Sequence, residues 1–199
     1  MPGVDAICDR GDTEILELGS GVLERIADTE HPQGQIAIVV RPEVSLQVLD
    51  SAALVLVADR ITDPGNIGTM LRSAVAAGAD AVVTTPGTTD AFGPKAVRAS
   101  AGALFAVPVV EADLSAVAAA GLQIMATSAQ HGIDHRTAEY GGRIAVVIGN
   151  EAHGLDEDEL ADLNPVWVRI VHAGTAESLN AAMAATLLVF EARRSHDGL

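Results

Sequence analysis

Short runs of β-branched residues alternate along this chain with alanine-rich stretches of helical length, and this alternation restricts the possible folds most strongly. Continuous apolar strands separated by helices are typical of an α/β protein whose mainly parallel sheet is covered by helices on both faces. We predict strands at residues 35–40, 53–58, 81–84, 104–109, 122–126, 143–148 and 166–170. We predict helices at residues 20–27, 67–77, 94–100, 114–120, 157–163 and 178–194.

The last predicted helix is amphipathic. Leu179, Met183, Leu187 and Phe190 recur at spacings of three and four residues, so they share one face of the helix. We expect this apolar stripe to pack on the sheet.

A change of pattern near residues 41–50 marks the predicted domain boundary. Residues 1–45 supply one helix and one strand, which is too little to form a core of their own. The regular alternation of strands and helices occupies residues 50–199, which we expect to form the main domain.

The chain is strongly acidic, with 27 Asp and Glu residues against 12 Lys and Arg residues and a formal net charge of −15. Proteins that bind nucleic acid usually carry a basic surface, because phosphate contacts release counterions. The charge therefore counts against RNA binding, although a local basic patch can exist on an acidic protein. Lys95 is the only lysine.

The sequence contains neither a secretion signal nor a membrane span. The N-terminus lacks a basic segment followed by an apolar run, and the longest apolar stretch, residues 114–129, is too short to cross a bilayer. The single cysteine, Cys8, excludes an internal disulfide bond. We expect a cytoplasmic protein.

Three polar loops follow predicted strands, at the edge where open α/β sheets bind ligands. They cover residues 63–72, 149–155 and 171–180. In the first loop Asn66 is a candidate helix cap, and in the third Ser178 is one. Asn180 is a poor helix former in a first turn, and a bond to a neighbouring loop would explain its presence. Taken alone, the first loop is equally well explained as an ordinary turn, and the second is better explained as a glycine-rich turn.

Together the loops carry three motifs in order. Asn-x-Gly-x-x-x-Arg is present as Asn66, Gly68 and Arg72, Gly-x-Glu-x-x-Gly as Gly149, Glu151 and Gly154, and Ser-Leu-Asn as Ser178, Leu179 and Asn180. With these motifs, residues 54–194 resemble the SpoU (TrmH-like) branch of the SPOUT RNA methyltransferases. One departure is that Val171 and His172 follow Ile170, where the family usually has a proline directly after the isoleucine.

The resemblance implies a fold and a chemistry. The fold would end in a deep C-terminal trefoil knot, and the activity would be 2′-O-methylation of ribose in tRNA or rRNA with S-adenosylmethionine and without a metal ion. The implied cofactor-binding residues are Thr127, Ser128, Ala129, Gly149, Gly154, Ile170 and Leu179. The implied catalytic residues are Arg72, Asn66, Glu151, Ser178 and Asn180, and the implied RNA-binding residues are Arg72, Lys95 and Arg98.

The resemblance also implies partners and neighbouring domains. Members of the family form homodimers around the knot, and the small residues Ala181, Ala182, Ala184 and Ala185 would permit close packing of the last helix. Many members carry an RNA-capturing domain of the ribosomal protein L30e type before the catalytic domain. Residues 1–45 are similar only to the end of such a domain.

Three other interpretations remain open. Residues 15–21 resemble the first glycine motif of Rossmann-type methyltransferases, but the third glycine is absent. His131 and His135 have the spacing of a metal-binding pair, but Gly132 disfavours a helix there and no cysteine is near in the sequence. A non-catalytic RNA-binding or scaffold protein that keeps the fold would also fit the acidic charge.

Overall fold

The computed structural model describes residues 14–27, 32, 34–175 and 178–196, so Cys8 lies outside the described residues. The described residues divide into two compact units, with the boundary between Arg41 and Pro42. In the first unit the predicted helix is confirmed as α1, Val22–Ile26. The predicted strand at 35–40 is wrong: these residues form no strand and Ile38 is fully exposed. The described residues give this segment no partner strand to pair with.

The second unit is built on a parallel sheet, as predicted. Within the described residues its strands lie in the order β3-β2-β1-β6-β4-β7-β5, and every neighbouring pair is parallel. The strands are β1 Leu54–Ala58, β2 Ala81–Thr84, β3 Val109–Glu111, β4 Gln123–Thr127, β5 Ile133–Asp134, β6 Ile144–Ile148 and β7 Val166–Arg169.

Helices cover both faces of this sheet, which confirms the two-sided α/β arrangement. They are α2 Pro64–Ala76, α3 Pro94–Ser100, α4 Leu114–Ala119, α5 Glu157–Leu160 and α6 Ala181–His196, with 3-10 helices at Leu46–Asp50, Ala103–Phe105 and Ala161–Leu163. Along β1 the side chains alternate between two apolar cores. Leu56 faces the core beneath α2 and α6, whereas Val55 faces the core beneath α4 and α5.

The strand predicted at residues 104–109 is wrong in position. Ala101 and Gly102 both have positive φ, and the chain then forms a 3-10 helix that contains Leu104. Pairing with β2 begins only at the carbonyl of Pro108, which accepts a hydrogen bond from the Val82 N–H at 2.8 Å. A short apolar run is compatible with either structure, so its composition alone does not place the strand.

The expected packing of the last helix is also wrong. Met183, Leu187 and Phe190 on α6 are exposed, whereas Ala182 and Leu188 are among the residues that face the core. Alanine side chains let α6 approach α2 closely enough for a hydrogen bond between the hydroxyls of Ser73 and Thr186, at 2.7 Å. The alanines therefore serve packing within the chain, and the larger apolar residues form an outward face.

The two-residue strand β5 was not predicted. It lies beside β7, where a side chain at Gly132 would come within 2.7 Å of the Trp167 carbonyl oxygen. Only glycine allows this approach, and within residues 131–135 only Ile133 and Asp134 form the strand, so His131 and His135 do not share a helix. No helix in the described part of the chain is long and apolar enough to cross a membrane.

Candidate functional site

A cleft of about 320 Å³ opens at the carboxyl ends of β4, β6 and β7. Because β1 and β6 are adjacent and parallel, the loops that follow them meet at the same edge of the sheet. The cleft is lined by residues 127–130 after β4, by the loop after β6 and by residues on both sides of the link between β7 and α6. This is the position at which open α/β sheets bind ligands.

Glu151 connects the loop after β6 to the start of α2. One carboxylate oxygen accepts hydrogen bonds from the backbone N–H and the hydroxyl of Thr62, both at 3.1 Å. The other accepts from the Asp63 backbone N–H at 3.1 Å and from the Asn66 side-chain amide at 2.9 Å. Four donors therefore converge on one side chain and hold the two loops together.

These donors determine the charge of Glu151. Partial burial raises its pKa, but the hydrogen bonds from the Asn66 amide and from the backbone N–H groups of Thr62 and Asp63 favour the ionised form more strongly. Together they lower the pKa of Glu151 to about 2. The carboxylate is therefore an acceptor at neutral pH and has no proton to donate.

Asn66 and Asn180 extend this connection to the third motif. The Asn66 side-chain oxygen accepts a hydrogen bond from the Asn180 amide at 3.0 Å, and the Asn180 oxygen accepts from the backbone N–H groups of Ala182 and Met183. Asn180 is thus the cap of α6, in place of the expected Ser178. Asp63 caps α2 in place of Asn66, which leaves the Asn66 side chain available for Glu151 and Asn180.

The loop after β6 is a closed hairpin. The backbones of Asn150 and Gly154 exchange two hydrogen bonds, of 3.1 and 2.8 Å, and Gly154 has a φ of 69°. A side chain at Gly149 would come within 2.5 Å of the Leu155 nitrogen. Both motif glycines are therefore required by the shape of the hairpin itself, before any ligand is considered.

Asn150 and Arg60 are site residues that sequence reasoning missed. The Asn150 amide donates to the Arg60 carbonyl at 2.7 Å, while its oxygen accepts from the N–H groups of Ala152 and His153. Arg60 has a φ of 53°, which is unusual for a residue other than glycine, and its guanidinium pairs with buried Asp59. The only signal in the sequence is the position of Asp59 and Arg60 directly after β1.

The cleft gathers all the residues implied to bind the cofactor. Its lining includes Thr127, Ser128, Ala129, Gly149, Gly154, Ile170 and Leu179. Glu151 and Ser178 line it as well, but Asn66 and Asn180 do not, since they stand behind Glu151. Trp167 and His172 also line the cleft and were not predicted to do so.

Arg72, Lys95 and Arg98 are exposed on α2 and α3 and do not line the cleft. Gly68 lies on the same face of α2 as Arg72, one turn earlier. A side chain at Gly68 would come within 2.6 Å of the Ala99 carbonyl carbon, so this glycine permits the close packing of α2 on α3.

The two histidines considered as a metal pair have separate environments. The His131 ring lies 4.9 Å from the Trp167 ring, and its Nδ1 lies 3.1 Å from the Ser128 hydroxyl. His135 is bordered by Asp134 and by Tyr140, whose hydroxyl donates to the His135 carbonyl. Over the described ranges, no three His, Cys, Asp or Glu side chains are grouped so that they could hold a metal ion.

Comparison with known proteins identifies the family. Residues 53–190 match the model of the SpoU rRNA Methylase family. The chain belongs to this family. It is 38% identical over 182 residues to the 23S rRNA (guanosine(2553)-2′-O)-methyltransferase RlmP of Bacillus subtilis, an alignment that covers 88% of this chain and 71% of that protein. It is 34% identical to the 23S rRNA (uridine(2479)-2′-O)-methyltransferase of Streptomyces viridochromogenes, with 92% and 68% covered.

Solved structures of SpoU proteins share the fold. The AdoMet-bound rRNA methyltransferase from Sinorhizobium meliloti superposes with a TM-score of 0.68 at 36% identity, over 74% of this chain and 59% of that one. The SpoU methyltransferase AviRb from Streptomyces viridochromogenes, in complex with AdoMet, gives a TM-score of 0.63 at 36% identity, over 70% and 59%. The chain thus spans about three fifths of the length of these two solved chains.

Proposed function

We propose that this chain is an RNA ribose 2′-O-methyltransferase that uses S-adenosylmethionine. The observation that carries the proposal is that residues of the second and third motifs line one cleft and that hydrogen bonds from Asn66 to Glu151 and from Asn180 to Asn66 tie the first motif to both. Membership of the SpoU family and the activities named for its relatives support the same reaction. We propose the roles of the site residues on the same basis.

The cleft fits the proposed cofactor. Its volume, about 320 Å³, is within the usual range for small-molecule sites, and its wall combines apolar side chains with the polar ends of strands. Thr127, Ser128 and Ala129 would border the adenine, while the Gly149–Gly154 hairpin, Ile170 and Leu179 would surround the remainder. Bound adenosylmethionine supplies an electrophilic methyl group. The chain's residues hold it in place and keep water from the reacting centre.

Arg72 is the proposed catalytic residue. A guanidinium donates hydrogen bonds and is not a base, so Arg72 orients the target phosphate and ribose, and the 2′-hydroxyl proton passes to an RNA phosphate oxygen. Lys95 and Arg98 hold further phosphates. Asn66, Glu151, Ser178 and Asn180 keep the loops in register around the nucleotide.

We further propose that the protein acts as a homodimer in which Arg72 of one protomer approaches the cleft of its partner. Two features support this arrangement: Arg72 does not line the cleft of its own chain, and α6 presents an outward apolar face formed by Met183, Leu187 and Phe190. A two-fold contact between protomers would bury this apolar face and remove it from water.

The deep trefoil knot is also a proposal. Strand β7 lies between β4 and β5, although both precede it in the sequence. The chain then returns to the middle of the molecule, where α6 packs on α2, β1 and β6. A C-terminal segment inserted among elements formed earlier is the arrangement that a knot requires.

We assign residues 50–199 to the catalytic domain and residues 1–45 to a substrate-binding region. The relatives named above are bacterial, and we place the reaction in the cytoplasm, where ribosomal and transfer RNA are found. Mapping the nucleotide that carries a methyl label transferred to total RNA would identify the target and the class of RNA.

Transfer of label from methyl-labelled adenosylmethionine to total RNA tests the proposal. The wild-type protein is expected to label RNA, whereas Arg72→Ala should bind adenosylmethionine normally in calorimetry and lose label transfer by about 100-fold or more. Binding of RNA and cofactor without any transfer by the wild type would instead support the non-catalytic alternative that the acidic charge favours. Equal transfer by Arg72→Ala would remove that residue from the mechanism.

A further inference from the structure

Arg60 has a backbone conformation that its residue type disfavours. Its φ of 53° lies in the left-handed region, where a Cβ comes too close to the following carbonyl oxygen. A residue other than glycine stays in that region only when its surroundings hold it there, and such residues concentrate at active sites and ligand clamps. Arg60 lies just after β1, at the sheet edge that carries the cleft, but it does not line the cleft.

Asp59, the buried residue before Arg60, fixes this conformation from two sides. One carboxylate oxygen of Asp59 accepts a hydrogen bond from Nε of Arg60 at 3.0 Å and lies 2.9 Å from its Nη2. The other oxygen accepts from the Thr85 hydroxyl at 2.8 Å, and that hydroxyl accepts from the Arg60 backbone N–H at 3.0 Å. Asp59 is only 3% exposed, so water is a poor substitute for its carboxylate.

The carbonyl of Arg60 passes this constraint on to the hairpin after β6. It accepts a hydrogen bond of 2.7 Å from the Asn150 side-chain amide. The Asn150 oxygen accepts from the backbone N–H groups of Ala152 and His153, so this one side chain sets the conformation of the hairpin tip. Residues 149–155, which include the whole hairpin, line the cleft.

We propose that Asp59 is a positioning residue for cofactor binding, which acts through the Arg60 carbonyl and Asn150 on the hairpin wall of the cleft. Without the carboxylate, Arg60 relaxes toward an ordinary backbone conformation and turns its carbonyl away from the Asn150 amide. The wall then loses the bond that fixes its tip. The inference rests on the proposed function, because adenosylmethionine is the proposed occupant of the cleft, and it adds a residue that does not line the cleft.

Calorimetric titration of the full chain with adenosylmethionine tests this inference. Asp59→Asn keeps the size of the side chain and an acceptor for the Thr85 hydroxyl, but it removes the charge that holds the Arg60 guanidinium. We expect it to weaken adenosylmethionine binding by about tenfold, the equivalent of one lost hydrogen bond.

Glu159→Gln is the matched control, because Glu159 is the second carboxylate on the same guanidinium. Its carboxylate lies 3.2 Å from Nη1 of Arg60, but its side chain is 60% exposed. Exposed ion pairs contribute little, so Glu159→Gln should bind adenosylmethionine as the wild type does. A loss of affinity in Glu159→Gln equal to that in Asp59→Asn would overturn the inference, since any charge on Arg60 would then serve.

A double variant tests the route through Asn150. Asn150→Ala removes the bond to the Arg60 carbonyl, so adding Asp59→Asn to it should cause no further loss of affinity. Independent effects multiply instead, and a further loss of about tenfold in the double variant would overturn the inference.

The titration also separates positioning from a general loss of structure. Unfolded protein lowers the number of binding sites and leaves the affinity of the folded remainder unchanged. If Asp59→Asn changes only the number of sites, or binds adenosylmethionine as tightly as the wild type, the inference fails and the proposed function stands. Failure of the wild type to bind adenosylmethionine would overturn the proposed function as well.

Discussion

At the residue scale, Glu151 joins the start of α2 to the hairpin after β6. Its two oxygens accept four hydrogen bonds, and Asn66 passes the connection on to Asn180. The sequence identifies these residues as motif members but not as partners of one another. Their spacing places each on a loop, and only the parallel pairing of β1 with β6 brings the loops together.

We predict that Glu151→Gln lowers both stability and cofactor affinity. The amide keeps one acceptor oxygen but turns an N–H₂ group toward donors, so at least one donor loses its partner. Because the side chain is solvent-accessible, we expect a loss of about 1 kcal/mol in the free energy of unfolding. Chemical denaturation at pH 7 measures this loss, and an unchanged free energy would show that the donors find water instead.

The difference in free energy of unfolding between the wild type and Glu151→Gln should depend on pH, because the pKa of Glu151 is lowered to about 2. Because this pKa is lowered, the stabilisation by the ionised Glu151 carboxylate is fully present at a pH above the ordinary pKa of 4.5. It disappears as the pH falls through about 2. The stability gap between the wild type and Glu151→Gln should therefore be constant from pH 5 to pH 7 and shrink below pH 4. A gap that widens in acid would contradict the account.

At the element scale, the two helices that bear the proposed RNA-binding residues are held together by a glycine. A side chain at Gly68 would meet the backbone of Ala99 and Ser100, at 2.6 and 2.7 Å, which cannot yield as a flexible side chain would. Gly68 belongs to the first motif, and the structure gives it a packing role that its position in the motif does not reveal.

We predict that Gly68→Ala destabilises the protein. Overpacking costs about 1–3 kcal/mol, more than the helix propensity gained, which is at most about 1 kcal/mol. Thermal unfolding measures the net change. Gly141→Ala is the matched control, because its added side chain would meet open space at an ordinary backbone angle. Equal melting temperatures for the two variants would show that α2 and α3 can separate without cost.

Most strands and helices could be predicted from residue pattern, because β1, β2 and β6 are short, largely apolar runs rich in β-branched residues and α3 begins with a proline in its first turn. The errors have specific causes. The apolar run at 104–109 follows a turn with positive φ at Ala101 and Gly102 and begins in a 3-10 helix, and β5 depends on a contact with Trp167 that is distant in sequence. On α6 two apolar faces compete, and the alanine face packs inward because α2 leaves little space.

At the scale of the whole molecule, we predict a dimer from the outward apolar face of α6, which Met183, Leu187 and Phe190 form. Phe190→Glu or Leu187→Glu should convert the protein to a monomer in sedimentation at micromolar concentration, because an obligate two-fold contact buries upwards of about 2,000 Å² and does not tolerate an unpaired charge at its centre. Leu46→Glu places the same charge on an exposed leucine outside α6 and should leave the oligomeric state unchanged. A wild type that sediments as a monomer and still methylates RNA would contradict the proposed dimer.

The central claim is that methyl transfer to a ribose oxygen takes place at the cleft beside the loops that Glu151, Asn66 and Asn180 connect. The most direct test is alkaline hydrolysis of RNA labelled by the wild-type protein from methyl-labelled adenosylmethionine. A 2′-O-methyl group removes the hydroxyl that alkali needs to cleave the chain, so the label should appear in an alkali-resistant dinucleotide. Label recovered in mononucleotides would mean that a base is methylated, and it would contradict the account.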